Sequence, residues 1–404
     1  MANEKQKFQS KPLTNTCLKL THVLHFLFFV IGLSFGMITC SYFKNFLTFP
    51  FTNSQFINVY SLSSFSSSSP PPLLPPPPSP ESSLASSNSS AALIKQKEYS
   101  VMHDMSDDEL LSKACNVSVS VQENNSDDHK IVPKLAFMFL TYGPLPLAEL
   151  WEKYFKGHEG FFSIYVHPHP SYNDSWPETS VFFGRRIPSQ AVIWGTGTMI
   201  AAERRLLANA LLDISNQRFI LLSESCIPLV NFKTTYDYLM NSTLSFVQSY
   251  DDPKKRGRGR YNHTMSPTIN VTNWRKGSQW FEVRRDLAVH IISDQLYYKV
   301  FQDHCFPPCY MDEHYIATLV NMLYPEINSN RTITWVDWSR GGPHPVKFGR
   351  NYITDEFLNS IRYGSECVYD GKNTTLCFLF ARKFLPNALD PLLRISPLVL
   401  GYDP

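Results

Sequence analysis

Short apolar runs alternate with helical patterns in the middle of the chain, and this limits the folds that it can adopt. Residues 134–141 (KLAFMFLT), 161–167 (FFSIYVH) and 218–222 (RFILL) have the length and composition of buried strands. Residues 147–157 and 199–212 carry apolar residues at helical spacing. The alternation predicts βαβ units, and hence an α/β fold with a mostly parallel central sheet flanked by helices.

Such sheets bind ligands outside the carboxyl ends of their strands. In this chain those ends are followed by Thr141-Tyr142-Gly143, by His167 and by Ser223-Glu224-Ser225-Cys226. We therefore expect the functional site at this edge.

An uncharged run at residues 20–43 precedes the folded region. At about 1.5 Å per residue it makes roughly 36 Å of helix, enough to cross a bilayer core. A cleaved signal peptide is the alternative, but its apolar core is shorter and ends in small residues, whereas Tyr42 and Phe43 close this run. Lysines dominate residues 1–19, so the positive-inside rule places this tail in the cytosol and the rest of the chain in a lumen.

Residues 61–90 are rich in serine and proline, which cannot bury a core and favour extended backbone. The polar and acidic character continues to residue 130. The sequence therefore predicts a cytosolic tail (1–19), a transmembrane signal anchor (20–43), a disordered stem (44–130) and a lumenal catalytic domain (131–404).

Glycosylation sequons and cysteines agree with a lumenal, oxidising compartment. Cys367 and Cys377 are predicted to form a local disulfide, with Cys305, Cys309 and Cys226 as further candidates. The nine predicted glycosylation sites are Asn88, Asn116, Asn124, Asn173, Asn241, Asn262, Asn270, Asn330 and Asn373.

The segment CFPPCYMDEHYIATLV at 305–320 allows three interpretations: a metal site, a helix cap or a catalytic base. Consecutive helical residues diverge by about 100°, so Asp312, Glu313 and His314 do not converge on one ion. Asp312 as a helix cap, with acids in the first turn, suits the helix dipole. That interpretation is compatible with a carboxylate fixed at a helix start as a base.

Phosphate binding would have to rely on side-chain cations. The chain contains no GxxxxGK[ST] loop, no GxGxxG fingerprint and no Asp-x-Asp motif that would hold a metal for a sugar nucleotide. Arg382 and Lys383, with Arg362, are the candidates for neutralising a diphosphate. The basic run KKRGRGR at 254–260 is either a solvated loop or a contact for an anionic partner. The net charge of +2 gives no indication of nucleic-acid binding.

Several stretches together resemble the core-2/I-branching β-1,6-N-acetylglucosaminyltransferase family (glycosyltransferase family 14), and within it the plant brittle-culm-type branch. The resemblance covers about 134–390. The stretches are KLAFMFLTYGPLPLAELWEKYF, VIWGTGTMIAAERRLLANAL, RFILLSESCIPL, RKGSQWFEVRRDLA, CYMDEHYIATLV and FARKF.

The resemblance implies a GT-A-like fold, an inverting transfer and a UDP-sugar donor without a required metal. It places the base at Glu313, with Asp312 and His314 as supports, and the diphosphate contacts at Lys383 and, by spacing, Arg362. Acceptor contacts would fall near Arg258, Arg260, Trp335 and Asp337. Ser223-Glu224-Ser225-Cys226 departs from the Cys-Gly-x-Asp-type turn of the mammalian enzymes, so the donor sugar stays open among UDP-GlcNAc, UDP-xylose, UDP-glucuronate and UDP-galactose.

The resulting hypothesis is a single-pass type II Golgi glycosyltransferase acting on wall polysaccharide or arabinogalactan-type glycoprotein. One alternative is a catalytically silent lumenal glycan-binding protein on a transferase fold, which would not bind UDP. The other is a glycoside hydrolase, which needs a second carboxylate such as Glu224 or Asp337 opposite Glu313.

Overall fold

The computed structural model describes residue 28, residues 101–123 and residues 131–402. The chain divides into two units, residues 1–81 and 82–404, and every described residue except Phe28 belongs to the second. The predicted anchor, apart from Phe28, and most of the predicted stem lie outside the described residues. Among the described helices, none combines the length and apolar character needed to cross a bilayer.

The described part of the second unit mixes helices and short strands. The helices are α1 (Asp107–Glu123), α2 (Ala148–Phe155), α3 (Gly197–Leu211), α4 (Phe232–Asn241), α5 (Arg285–Ser293), α6 (Leu296–His304), α7 (Met311–Leu323), α8 (Asp355–Tyr363) and α9 (Leu389–Ile395). The strands are β1 (Lys134–Leu140), β2 (Phe162–His167), β3 (Asn216–Ser223), β4 (Ile227–Pro228), β5 (Glu282–Arg284), β6 (Thr334–Val336), β7 (Cys367–Tyr369), β8 (Lys372–Thr374) and β9 (Phe380–Arg382).

The central sheet has the strand order β2-β1-β3-β5. β1 runs parallel to β2 and β3, and β5 pairs antiparallel with β3. The predicted parallel core and the helices between its strands are confirmed, and the antiparallel edge strand makes the sheet mixed. This mixed α/β arrangement with a parallel-rich sheet fits a GT-A-like fold.

Both faces of the sheet are buried, as the uninterrupted apolar runs predicted. Along β1, Leu135, Phe137 and Phe139 pack in one hydrophobic core, while Ala136 and Met138 pack in the core on the opposite face. Aromatic side chains dominate the first core, where the Phe137 ring meets the Phe155 ring edge-on at 4.8 Å.

A second sheet of three short strands, in the order β4-β9-β6, stands beside the end of β3. β6 and β9 are parallel, and the amide of Phe384, just after β9, donates to the carbonyl of Ser225, just after β3, over 2.9 Å. The carboxyl ends of β3 and β9 therefore lie next to each other, and β6 ends beside β9.

Helix α1 corrects the predicted stem boundary. Residues 107–123 form a helix, and its Leu110 and Ala114 are buried in the core that also holds α3 and α5. Asp107 accepts hydrogen bonds from Arg205 at 2.7 and 2.6 Å. The helix starts with a capping box, in which the Ser106 amide donates to the Glu109 carboxylate over 2.8 Å.

A buried ion pair joins β3 to β5. The Arg218 guanidinium lies 2.8 Å from the Glu282 carboxylate, with the two side chains 5% and 0% exposed. A second contact, from Nη2 to Oε2, measures 3.0 Å. Burial raises the pKa of Glu282 to about 7, and Arg218 opposes that rise.

Two disulfides are present among the described residues. Cys367–Cys377 confirms the predicted local bridge, and Cys305–Cys309 is the second. Cys226 is a buried free thiol, so its prediction as a disulfide partner is wrong. It contacts the Ser223 amide and hydroxyl at 3.3 Å instead.

The described sequons differ in how their side chains are used. Asn262 is half-buried, and its amide nitrogen, the atom that a glycan would occupy, donates to the carbonyl of His304 over 3.0 Å. This contact makes Asn262 a poor acceptor for a glycan. Asn88 and Asn124 lie outside the described residues. The exposed sites are Asn116, Asn173, Asn241, Asn270, Asn330 and Asn373.

Candidate active site

Glu313 lies in the first turn of α7, immediately after the disulfide loop. Tyr310 is the residue at the cap position, and no side-chain cap bond is made there. Asp312 is inside the helix rather than at its cap, so its predicted capping role is wrong. The acids still lie where the helix dipole favours negative charge.

Two cations hold the Glu313 carboxylate. Arg260 Nη1 lies 2.5 Å from Oε2, and Lys276 Nζ contacts the same oxygen. Burial alone would raise the pKa of Glu313, but Lys276 and then Arg260 outweigh it and keep the pKa below its usual range. Because both cations use Oε2, Oε1 is the oxygen available to a substrate hydroxyl.

Lys276 reaches Glu313 because its backbone is fixed against two neighbours. It pairs with Tyr250 in an antiparallel bridge, and the next amide, of Gly277, donates to the Glu313 carbonyl over 2.8 Å. A Cβ on Gly277 would lie only 1.9 Å from the carbonyl oxygen of Gln248. Only glycine fits this close approach, which lets the 276–277 backbone pack against the backbone of Gln248.

His314 supports the start of α7 from the buried side. Its ring stacks on Trp274 at 4.4 Å, and Nδ1 lies 2.8 Å from the Arg275 carbonyl oxygen, to which it donates. Burial lowers the pKa of His314 to about 4, so the ring is neutral at ordinary pH. Its role as a support for Glu313 stays a prediction.

Asp312 lies beside a second buried acid, Glu203 of α3. Burial and then the negative charge of Glu313 raise the pKa of Asp312 to about 6. Burial also raises the pKa of Glu203, whose Oε1 accepts a hydrogen bond from Gln279 over 3.0 Å. Within residues 131–402, neither Asp312 Oδ1 nor Glu203 Oε2 has a hydrogen-bond partner. The pair therefore favours protonated carboxyls next to an ionised Glu313.

The raised pKa of Asp312 predicts a pH-dependent stability. Because the native state holds this proton more tightly than the unfolded chain does, the free energy of unfolding should fall as pH rises from about 4 to about 6. Asp312→Asn should make the decrease in unfolding free energy between these pH values smaller by about 1–2 kcal/mol. Urea unfolding across this range measures the effect, with the exposed Asp303→Asn as a control. Superimposable pH profiles for Asp312→Asn and the wild type would contradict the assignment.

A cationic cluster lies where β9 ends beside β3. The Arg382 guanidinium stacks over the Trp280 ring at 3.9 Å from its centroid. Burial, Arg382 and Lys347 lower the pKa of Lys383, and Glu224 opposes them. Arg382, Lys383 and Lys347 repel one another, and binding of an anion between them would relieve this repulsion.

One short segment links the cluster to Glu313. Lys276 contacts Glu313 at one end of the segment, and Trp280 carries Arg382 at the other. Four residues of extended chain span at most about 14 Å. The backbones of Lys276 and Trp280 therefore lie within about 14 Å of each other, and this short segment connects Glu313 with the cationic cluster.

Of the four predicted acceptor residues, Arg260 lies beside Glu313 and contacts its carboxylate. The other three have different surroundings. Arg258 pairs with Asp251 at 2.6 and 2.7 Å on the surface. Trp335 packs against Phe348 in the first core, with ring centroids 5.7 Å apart. Asp337 accepts the Ser339 amide over 2.7 Å and so shapes the loop after β6.

Arg362 lies in a different cavity. Its guanidinium donates to the Val399 carbonyl and stacks on Tyr363 at 4.7 Å, in a cavity of about 590 Å³ between α8, the start of α4 and the residues after α9. None of these contacts is with Glu313 or Lys383, so the structure does not bring Arg362 into the cationic cluster.

The Glu313 side chain contacts Arg260 and Lys276, whereas the His314 ring contacts Trp274 and the Arg275 carbonyl. Across the described residues, no cluster of three or more histidine, cysteine, aspartate or glutamate side chains has the geometry of a metal site.

Comparison with known proteins decides the family. Residues 135–362, more than half of the chain, match the model of the Core-2/I-branching enzyme family. The chain belongs to this family. The protein named Glycosyltransferase BC10 of Oryza sativa subsp. japonica is 37% identical over an alignment of 310 residues that covers 65% of this chain and 76% of that protein.

Membership of the Core-2/I-branching family confirms the resemblance to the plant brittle-culm type and supports a glycosyltransferase. The matched region contains Glu313, Arg260 and Lys276, and it ends at Arg362, before Lys383. The roles of these residues in transfer stay predictions.

The sequence did not point to Lys276, Trp280 or Glu203. Lys276 and Trp280 lie in the family-like stretch RKGSQWFEVRRDLA, which was their only signal. Glu203 is one acid inside a strongly helical run, with nothing in its spacing to distinguish it from a surface residue.

Proposed function

We propose that the chain is an inverting glycosyltransferase that moves a sugar from a UDP-sugar to a hydroxyl group of a glycan. The observation that carries the proposal is Glu313, ionised between Arg260 and Lys276 and connected through residues 276–280 to Arg382, which precedes Lys383. Inverting transfer from a nucleotide sugar requires a base and a site for the anionic leaving group.

In the proposed step, Oε1 of Glu313 accepts the proton of the acceptor hydroxyl as its oxygen attacks the anomeric carbon. The bond from that carbon to the phosphate oxygen breaks, and its electron pair stays on the departing UDP. Lys383 and Arg382 stabilise the charge that develops there. Fixed cations do the electrostatic work that a divalent metal does elsewhere, so we propose that no metal is required.

Two features support a lumenal, Golgi location for this activity. The described part of the chain carries two disulfides, which persist in oxidising compartments, and six exposed sequons. The uncharged run at 20–43 would supply the single-pass anchor and residues 44–100 the stem.

UDP binding to the purified full chain tests the proposal directly. We expect calorimetry to detect UDP binding by the wild type. Lys383→Ala should weaken the affinity for UDP by roughly 10- to 100-fold, because one charge-assisted contact is lost. The exposed Lys372→Ala is the matched control, with unchanged affinity. Absence of UDP binding by the wild type would favour a silent glycan-binding protein.

A donor screen completes the test. UDP release is measured with UDP-GlcNAc, UDP-xylose, UDP-glucuronate and UDP-galactose over a panel of acceptors, with and without excess EDTA. Transfer should persist in EDTA. Complete loss that Mn²⁺ restores would show that the metal-free mechanism is wrong, and release of free sugar without UDP would favour a hydrolase.

A further inference from the structure

An aromatic pair lies directly beside the candidate base. The Arg260 guanidinium, which contacts Glu313, also stacks on the Tyr310 ring at 4.5 Å from its centroid. The ring of Trp194 meets Tyr310 at a centroid distance of 4.9 Å and an angle of 42°. The contacts thus run outward from the carboxylate through Arg260 and Tyr310 to Trp194.

Trp194 is exposed although it is one of the largest apolar side chains. It is 53% exposed, and its neighbour Ile193 is 64% exposed. Trp194 accordingly contributes little to the hydrophobic core, and an exposed aromatic surface beside a polar site is typical of a binding surface.

The backbone holds this exposed ring in place. Gly195 has φ +75°, and a Cβ there would lie 2.7 Å from the Tyr310 ring, so the 194–195 backbone lies directly on that ring. The Ile193 amide donates to the Thr198 hydroxyl over 2.9 Å, and the Thr196 hydroxyl donates to the Ile193 carbonyl over 2.8 Å. Tyr310 in turn follows the Cys305–Cys309 disulfide. These contacts fix the rings of Trp194 and Tyr310, which together form an aromatic platform, so the platform is preorganised for binding.

The loop after β6 borders the same platform. His344, also exposed, has its ring 5.9 Å from that of Trp194. Aromatic rings, a cation and a histidine around one open surface match a neutral pyranose, whose C–H face packs on an aromatic ring while its hydroxyls meet polar side chains.

We propose that Trp194 and Tyr310 form an acceptor subsite for a sugar residue beyond the one that is glycosylated. This rests on the proposed function, since Glu313 fixes where the attacking hydroxyl lies. Arg260 and Tyr310 separate Trp194 from the carboxylate, so Trp194 contacts the next part of an acceptor chain. The acceptor class is therefore an oligosaccharide or polysaccharide chain rather than a single sugar or a peptide hydroxyl.

The test compares acceptors of different length with the purified full chain. Methyl β-galactoside and a β-1,3-linked galactotetraose serve as probes, each with the donor that gives UDP release. We expect a lower KM for the tetrasaccharide in the wild type. Trp194→Ala should raise that KM at least about tenfold, and by more than it raises the KM for the monosaccharide. Trp194→Phe should keep most of the preference.

A matched control and a direct binding assay complete the design. Phe161 is 42% exposed and lies just before β2, at the opposite edge of the sheet, so Phe161→Ala should leave both KM values unchanged. An unchanged ratio of KM values in Trp194→Ala overturns the proposal. If no donor gives transfer, the proposed transferase activity is rejected, and calorimetry with the tetrasaccharide alone tests the subsite. Tetrasaccharide binding by the wild type that Trp194→Ala weakens would support the subsite. Absence of binding by the wild type would reject it.

Discussion

Glu313→Gln is expected to reduce sugar transfer by roughly 10²- to 10⁴-fold while UDP binding survives, because the amide cannot accept the proton of the acceptor hydroxyl. The side chain keeps its shape and can still contact Arg260 and Lys276, so the fold should be preserved. The measurement is the initial rate of UDP release with the best donor and acceptor pair, beside calorimetry with UDP.

The control for Glu313→Gln is Glu326→Gln, an exposed acid just after α7 whose substitution should not change the rate. Transfer at the wild-type rate in Glu313→Gln would exclude this residue as the base. Loss of UDP binding together with transfer would instead indicate that the charge of Glu313 holds Arg260 and Lys276 in place for the donor.

The second large effect is expected from Glu282→Ala, which leaves Arg218 buried without its carboxylate. Breaking one partner out of a buried ion pair costs about 3–5 kcal/mol of unfolding free energy, because the remaining charge is uncompensated. Arg218 also donates to the Leu244 carbonyl over 2.8 Å and to the Ser242 carbonyl over 3.3 Å, so two neutral contacts remain. Urea unfolding monitored by circular dichroism measures the loss.

Two variants show whether the loss comes from the unpaired charge. The double variant Arg218→Met/Glu282→Leu should recover much of the stability, since a buried pair replaced by apolar residues is often neutral. Asp237→Ala removes the exposed Lys233–Asp237 pair, with side chains 76% and 49% exposed, and should cost less than about 1 kcal/mol. If Glu282→Ala lowers the unfolding free energy as little as Asp237→Ala does, the buried-pair interpretation is wrong.

The part of the fold with long, regular elements was predictable. Strands β1, β2 and β3 are buried on both faces, so nearly all their residues are apolar and the sequence shows them as uninterrupted apolar runs. The second sheet was harder to predict, because β4 and β9 have two or three residues each, too few for a period to be recognised.

Helix α1 was missed because of its polar composition. Residues 95–130 are acidic enough to resemble a stem, and Leu110 and Ala114 are the buried hydrophobic side chains among residues 107–117 of the helix. The capping box from Ser106 to Glu109 was a local signal of a helix start that the composition outweighed.

The candidate site could be predicted only in part from the sequence. The resemblance placed the base at Glu313, but the cation that contacts it most closely, Lys276, depends on a bridge to Tyr250 and on the absence of a side chain at Gly277. Such long-range contacts leave no periodic pattern in a sequence. Asp312 likewise lies in the first turn of the helix rather than at its cap, a difference that spacing alone does not resolve.

The docking of α1 decides where the catalytic unit can be shortened. Arg205 is nearly buried, with a side-chain exposure of 4%, and it holds both Asp107 of α1 and, at 3.0 Å, His167 at the end of β2. A protein that begins at residue 131 would lose Asp107 and expose the apolar surface that Leu110 and Ala114 cover. A shortened protein should therefore keep helix α1, which the polar composition of residues 95–130 had assigned to the stem.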